Sequence, residues 1–247
     1  RSVTVIRAGS TVAEVKASEV SAKKLAELMV GSELPSPEIH GSAKRSDIAL
    51  ELSQLTVPAE SGARNLVSDV SFTLHAGEVL GIAGVEGNGQ SELIEAILGL
   101  RNYTGTVIFK GEPLDDESVS ERRDMGIGFI PEDRQRQALL MSSPLWENRI
   151  LGHQRGKPVM NGALIDRKAT MADTIRIMQE FDVRAPGPDT LALALSGGNQ
   201  QKFIVGRELS GDPKLIVAAQ PTRGVDVGAQ AIIWDHLMQA RSRGVGV

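Results

Sequence analysis

The sequence predicts an α/β fold with a parallel-sheet core and a helix-rich stretch. Three observations carry this reading. The run Glu78-Val79-Leu80-Gly81-Ile82-Ala83 is short and largely apolar, and it leads through a glycine-rich loop into the helix-patterned stretch Ser91 to Leu98. Such a run reads as a strand buried in a parallel sheet. Lys214-Leu215-Ile216-Val217-Ala218-Ala219 repeats the pattern, and the stretch between, about 119–190, is rich in helical spacing. Its clearest piece is Lys168 to Phe181, with Met171, Ile175, Met178 and Phe181 along one side.

Taken in order, Val3 to Arg7 and Thr11 to Val15 read as a hairpin with Gly9 in the turn. Ser21 is placed to cap a helix running to Val30, with Leu25, Leu28 and Met29 on one face and Gly31 ending it. Residues 32–46, with Pro35, Pro37 and Gly41, read as a linker. A hairpin and one helix are too small to bury a core, so 1–31 is expected to be the C-terminal tail of a preceding domain. Arg1-Ser2-Val3-Thr4 reads as mid-strand, which places the expected start upstream. A second domain spans 47–247. In it Ile48, Leu50 and Leu52 alternate, as do Val70, Phe72 and Leu74 before the turn His75-Ala76-Gly77.

Composition excludes several function classes. Hydrophobic residues at 41% and charged residues at 23% are ordinary for a globular protein. No apolar run approaches the roughly 20 residues that span a bilayer. The chain has no cysteine, which removes disulfides and thiolate metal sites. A net charge of -4 and 3% aromatics argue against a nucleic-acid-binding surface.

The chemistry starts at Gly84-Val85-Glu86-Gly87-Asn88-Gly89-Gln90-Ser91, which fits G-x-x-x-x-G-K-[ST] everywhere except the lysine, here Gln90. Glycines let the backbone curl so that successive N–H groups point at phosphate oxygens, and the following helix adds its positive N-terminal dipole. Ser91 supplies a hydroxyl where this motif places its magnesium ligand. A glycine turn joining a strand to a helix gives the same letters, so the decision lies elsewhere in the chain. Leu195-Ser196-Gly197-Gly198-Asn199-Gln200-Gln201-Lys202 reads as a helix start capped by Ser196. A capped helix N-terminus beside two glycines is also a phosphate-binding device.

At these residues the sequence resembles the ATP-binding-cassette family, whose signature motif reads LSGGQ. Leu215 to Thr222 occupies the place of the family's Walker B segment, keeping Pro221 and Thr222. Ala219 stands where the magnesium-organising aspartate belongs and Gln220 where the general-base glutamate belongs. Arg223 to Ala229 is similar to the D-loop, with Asp226 as its aspartate, and Glu132 in Pro131-Glu132-Asp133-Arg134 falls at the Q-loop position. An adenine-stacking aromatic, expected around Thr56-Val57-Pro58, is not there. The family's switch histidine would follow the strand starting at Val245, and His236 on the preceding helix reads as an ordinary histidine.

The resemblance covers essentially all of 46–247. It implies a P-loop NTPase (RecA-like) core with an antiparallel β subdomain and a helical signature subdomain at about 119–190, truncated at its C-terminus. It implies ATP and Mg2+ as cofactors, with Gly84 to Ser91 holding the phosphates. Ser196, Gly197, Gly198, Asn199 and Gln200 would serve the ATP of a second cassette fused upstream. Further implied partners are two membrane permease subunits and, through them, an extracytoplasmic substrate-binding protein, at the cytoplasmic face of the membrane. Asn199 to Lys202, Pro131 to Arg134 and Pro221 to Ala229 together resemble bacterial importers of simple sugars, and Ala218-Ala219-Gln220 the nucleoside branch. With Gln90, Ala219 and Gln220 all neutral, the implied site binds with little hydrolysis. The alternative is a soluble regulatory nucleotide sensor without transport.

Overall fold

The computed structural model describes residues 1–7, 9–30, 45–59 and 64–247; Gly31 and all of the expected linker but Arg45 and Ser46 lie outside them. The opening hairpin forms from β1 (Ser2–Arg7) and β2 (Ser10–Lys16), antiparallel, with Gly9 at φ 78 in the turn. The helix α1 (Ala22–Val30) starts on Ser21, whose hydroxyl accepts the Lys24 amide N–H at 3.1 Å. Met29 departs from the expected apolar face and is 56% exposed. One hairpin covers only a narrow strip of this helix, and among the described side chains of β1 and β2 only Val5 is buried.

The antiparallel part is a four-stranded sheet, ordered β4-β3-β5-β6, from β3 (Ile48–Pro58), β4 (Asn65–His75), β5 (Thr104–Phe109) and β6 (Glu112–Pro113). The alternation read from the sequence sets its register. Leu50 and Leu52 pair with Leu74 and Phe72 on one side and with Phe109 and Val107 on the other. Their side chains meet Leu93, Ala96 and Ile97 of α2 (Gln90–Leu98) in one core.

The parallel ladder pairs β7 (Ile127–Ile130) with β10 (Leu215–Ala218), in register from Leu215 opposite Ile127 to Ala218 opposite Ile130. Strand β7 lies inside the range expected to be helical, so the helical part is interrupted. Four residues are too short for periodicity to announce them. Both strands serve two cores, which is why they read as continuous apolar runs. Ile127 and Leu215 pack with the antiparallel sheet, while Ile130 and Ile216 pack with the helices.

The expected buried strand at 78–83 is corrected. Its backbone joins the layer at one end only: Leu80 N–H donates to the Val247 carbonyl at 2.8 Å, and Val247 N–H donates to the Glu78 carbonyl at 3.0 Å. Gly246 in turn bridges in parallel to Leu215. Beyond Leu80 no ladder partner lies alongside among the described residues, and Val79 and Ile82 are 41% and 52% exposed.

The helical part comprises α3 (Val119–Asp124), α4 (Leu145–Ile150), the small hairpin β8–β9 (Met160–Asn161, Leu164–Ile165) and α5 (Arg167–Glu180). The long helices α6 (Gly197–Leu209) and α7 (Val227–Ser242) pack beside it. In α5 the buried face differs from the expected one. Met178 and Phe181 are buried as expected, but Ile175 is 41% exposed and Thr170, Thr174 and Ile177 are buried in addition. The threonines are tolerated because each hydroxyl is satisfied one turn back: Thr170 Oγ1 donates to the Asp166 carbonyl and Thr174 Oγ1 to that of Thr170.

A buried charge cluster joins these parts. The Glu208 carboxylate on α6 accepts from the Phe129 amide N–H (3.2 Å), from Arg123 (2.8 Å) and from Arg207 (2.9 Å). Burial alone would raise this carboxyl, but Arg207 and Arg123 outweigh it and hold it below the ordinary glutamate value. Arg207 also donates to the carbonyls of Ala138 and Asn148, and Arg149 pairs with Asp173 at 2.6 Å. His153 sits beside this cluster, and burial, with Arg149, Arg123 and Arg207 reinforcing it against Glu208, pushes it down from 6.5 to about 4. Because the folded value is depressed, the unfolded chain binds the extra proton in this window and stability falls as pH drops from 6.5 to about 4. The loss expected from this residue is on the order of 2–3 kcal/mol at the acid end. Urea unfolding at a series of pH values checks it: His153→Gln is expected to flatten the slope between these limits, and an unchanged slope contradicts the assignment.

Candidate functional site

The glycine-rich loop is shaped by its backbone before any ligand is considered. Gly87 and Gly89 hold φ of 89 and 99, which other residues adopt only under strain. A Cβ on Gly89 would stand 2.6 Å from the Leu66 carbonyl oxygen, so the chain enters α2 at a point only glycine fits. The Asn88 amide N–H turns back toward the Val85 carbonyl at 3.2 Å, which closes the curl.

Gln90 is seated inside this curl. Its Oε1 accepts the Asn88 N–H at 3.1 Å, and its Nε2 donates to the Val85 carbonyl at 3.1 Å. A Cβ on Gly84 would lie 2.3 Å from that Nε2, so the amide fills the space the glycines leave open. A neutral side chain thus satisfies the loop with its own donor and acceptor. Ser91 follows in the first turn of α2, exposed, on the edge of the cleft.

Across the cleft stands a cluster centred on Glu132, which follows β7 directly. Gln220 Nε2 donates to Glu132 Oε1 at 3.0 Å, and the same oxygen takes an ion pair from Arg223. Arg223 also lies 4.0 Å from the Glu86 carboxylate on the loop. Gln220 adopts φ 47, a left-handed conformation that costs a non-glycine residue about 1–2 kcal/mol. Strain of this kind collects at functional sites. Ala219 lines the cleft with a methyl group and offers no donor. Glu86, Ser91, Glu132, Arg134, Ala219, Arg223 and Gly224 border a cleft of about 590 Å³. A second, more apolar hollow of about 660 Å³ lies along 79–84 against Leu50, Phe72 and Trp234, and Gly87, Gln90, Ser91, Ala219 and Gln220 line it too.

No sequence motif gives Arg134 or Arg223 a role of its own. Arg134 Nη1 donates to the Arg223 carbonyl at 3.0 Å and its Nε to Gln200 Oε1 at 3.3 Å, tying the Glu132 segment to both α6 and the segment before α7. A Cβ on Gly197 would come within 2.6 Å of its Nη2, which gives that glycine a packing reason. No local pattern announces these contacts, which join residues 66 and 89 positions apart.

Ser196 caps α6, accepting the Asn199 amide N–H at 3.4 Å, and Asn199 Oδ1 accepts from the Arg184 amide. Asp226 caps α7 through the Ala229 amide at 2.9 Å, and a Cβ on Gly198 would stand 3.2 Å from its Oδ2. Ser196 through Gln200 and Asp226 therefore sit together, and they line neither of the two hollows beside the loop. His236 stacks on Phe181 with ring centroids 4.0 Å apart, and burial pushes its pKa down.

The family model described as ABC transporter matches residues 67–223. The chain belongs to the ABC transporter family. Among relatives of that family, the guanosine import ATP-binding protein NupO of Bacillus subtilis is 39% identical over 99% of this chain and 48% of its own length. The nucleoside import ATP-binding protein NupA of Lactococcus lactis subsp. cremoris is 35% identical over the same shares. The ribose import ATP-binding protein RbsA of Lacticaseibacillus paracasei is 34% identical, again over 99% and 48%. The chain thus spans about half the length of these relatives. A nucleotide-free ATP-binding cassette from an ABC transporter superposes with a TM-score of 0.67 at 24% identity, covering 80% of this chain and 79% of that one. A dimeric cassette solved with ADP and phosphate gives 0.67 at 22%, covering 79% and 84%. These two similarities speak to the P-loop NTPase fold alone.

The residues of the glycine-rich curl would present backbone N–H groups to a polyphosphate at the start of a nine-residue helix once the Gln90 amide that fills the curl is turned out. They do not fit a magnesium site of the family's kind. Ser91 is the one hydroxyl at the place of the metal ligand, Ala219 gives nothing, and the Gln220 amide turns its NH₂ group toward Glu132. Gln90→Ala removes both bonds within the loop and leaves the Asn88 amide on the Val85 carbonyl alone. Hydrogen exchange at Asn88 is expected to speed up severalfold in this variant, and unchanged exchange would place the glutamine side chain outside the loop.

Proposed function

We propose that the chain is the nucleotide-binding, energy-coupling part of an importer for nucleosides or simple sugars, whose own phosphate site holds ATP with little hydrolysis. The observation that carries this is the neutrality of the site. Gln90 occupies the loop with an amide, and Gln220 is bonded to Glu132 at 3.0 Å, where the family has a lysine and a general base. Phosphoryl transfer depends on positioning and charge stabilisation, so uncharged replacements strike at catalysis before binding. Loss of a general base costs about 10²–10⁴ in rate, and loss of one transition-state stabiliser about 10²–10³. The backbone amides of 84–91 and the Ser91 hydroxyl remain to hold phosphate.

The signature residues Ser196 to Gln200 are read as serving another nucleotide. They lie beside Asp226 and away from the hollows at 84–91, an arrangement that supports completion of a second cassette's site across an interface. Residues 1–31, a hairpin and helix with little buried surface, are read as the tail of that cassette, fused upstream. The names of the relatives, which import guanosine, nucleosides and ribose, support the substrate class. The partners are then two permease subunits and an extracytoplasmic substrate-binding protein, with this domain on the cytoplasmic face. No helix among the described residues is long and apolar enough to cross a membrane.

The test uses the tandem protein that contains this chain. Ser196→Ala is expected to lower its steady-state ATP hydrolysis by about tenfold or more, the scale of one lost transition-state donor. Unchanged turnover would remove the cross-site role. Lost turnover with intact nucleotide binding at the other cassette's loop would support it.

A further inference from the structure

The missing charges at the phosphate loop raise the question of what cation a bound nucleotide would meet, an inference that rests on the nucleotide-binding reading above. We propose that this site takes its nucleoside polyphosphate free of magnesium, with the Arg223 guanidinium supplying the positive charge.

Magnesium requires near-octahedral oxygen coordination and is held in such sites by one or two anionic donors beside the phosphates. The donor set here departs from that at every position but one. Ser91 offers a neutral hydroxyl, Ala219 a methyl group, and Gln220 points its donor nitrogen, rather than its oxygen, at Glu132. Among the described residues, the carboxylates bordering this cleft are Glu86, Glu95, Glu132 and Asp133. Glu95 is paired with Arg101 at 2.7 Å and Asp133 accepts the Gln135 and Arg136 amides, while Arg223 lies between the other two, paired with Glu132 and 4.0 Å from Glu86. A divalent cation entering between that second pair would meet a guanidinium already there, and like charges at that separation repel.

Arg223 is suited to the substitute role. Both of its ion-pair contacts run through Nη1, leaving Nε and Nη2 for a further anion. Its side chain is 51% exposed, at the rim of the cleft that Ser91 also lines. The planar fork matches phosphate oxygens bidentately, which no other cation at the rim can do as freely. Arg134, the neighbouring cation, is committed to the Arg223 carbonyl and to Gln200. With Gln90 neutral, a triphosphate without magnesium brings more negative charge to Arg223 than a magnesium complex does. Gln220 and the Arg134 bond to the Arg223 carbonyl hold the cluster in place from either side.

The experiment is ATP binding to this chain by calorimetry, in excess magnesium and in excess EDTA. The affinity is expected to be the same in both within about twofold, or higher in EDTA. Arg223→Gln is expected to weaken binding about tenfold in EDTA, the scale of one charge-assisted hydrogen bond to phosphate. Arg223→Lys, which keeps the charge, retains part of that affinity. Binding that falls tenfold or more on adding EDTA overturns the inference and leaves the nucleotide site standing. No binding in either buffer overturns both. Equal affinity for the unmodified chain and Arg223→Gln, with both folded by circular dichroism, removes Arg223 from the role.

Discussion

One buried carboxylate holds the parts of this fold in register. Glu208 accepts from the backbone of β7 and from arginines on α3 and α6, so one strand and two helices meet at a single anion. A buried ion cluster of this kind is not a large source of net stability, because desolvation offsets much of the attraction. Its value is positional. Removing the carboxylate would leave Arg207, fully enclosed, and Arg123 uncompensated, and losing one member of such a set typically costs about 3–5 kcal/mol. The two ends of the elements it joins carry the chemistry: Glu132 and Arg134 follow β7, and Ser196 to Gln200 open α6.

From that anchor the site is built by short polar links rather than by apolar packing. Arg134 spans from Gln200 to the Arg223 carbonyl, Arg223 spans from Glu132 toward Glu86, and Gln220 closes on Glu132. The loop itself stands apart, satisfied internally by Gln90. What results is a glycine-shaped curl occupied by an amide. In the proposed reading, neutral Gln90, Ala219 and Gln220 stand where the family pattern has charge, metal organisation and proton acceptance, while the glycines that shape the curl remain.

The parts of this architecture legible in the sequence are those set by local physics. Ser21 and Ser196 read as caps because a side-chain oxygen before a helix has one nearby use, and each is found bonded to the third residue on; Asp226, read only as the D-loop aspartate, caps α7 in the same way. The glycines at 87 and 89 read correctly because the motif demands φ values that few other residues reach. The alternation in β3 and β4 gave the correct faces for Leu50, Leu52 and Leu74. What was hidden depends on partners far along the chain. Strand β7 is too short to show a period, and its identity comes from pairing with β10. The run 78–83 has strand composition, yet Val79 and Ile82 are exposed and its backbone is tied only through Glu78 and Leu80 to Val247. In α5 the threonines take the buried face because their hydroxyls turn back on the helix, which a count of apolar residues does not anticipate. Arg134 and Arg223 carry no signal of their own; their roles exist only once three loops converge.

The central claim is that the loop 84–91 retains the means to bind polyphosphate while the means to cleave it are gone. A single-turnover measurement on this chain tests it most directly: ATP is bound by excess protein in the presence of magnesium, and the nucleotide is recovered and identified over time. ATP retained and recovered intact supports the claim. Conversion to ADP and phosphate on the timescale of seconds, dependent on the residues of 84–91 and 219–220, would contradict it.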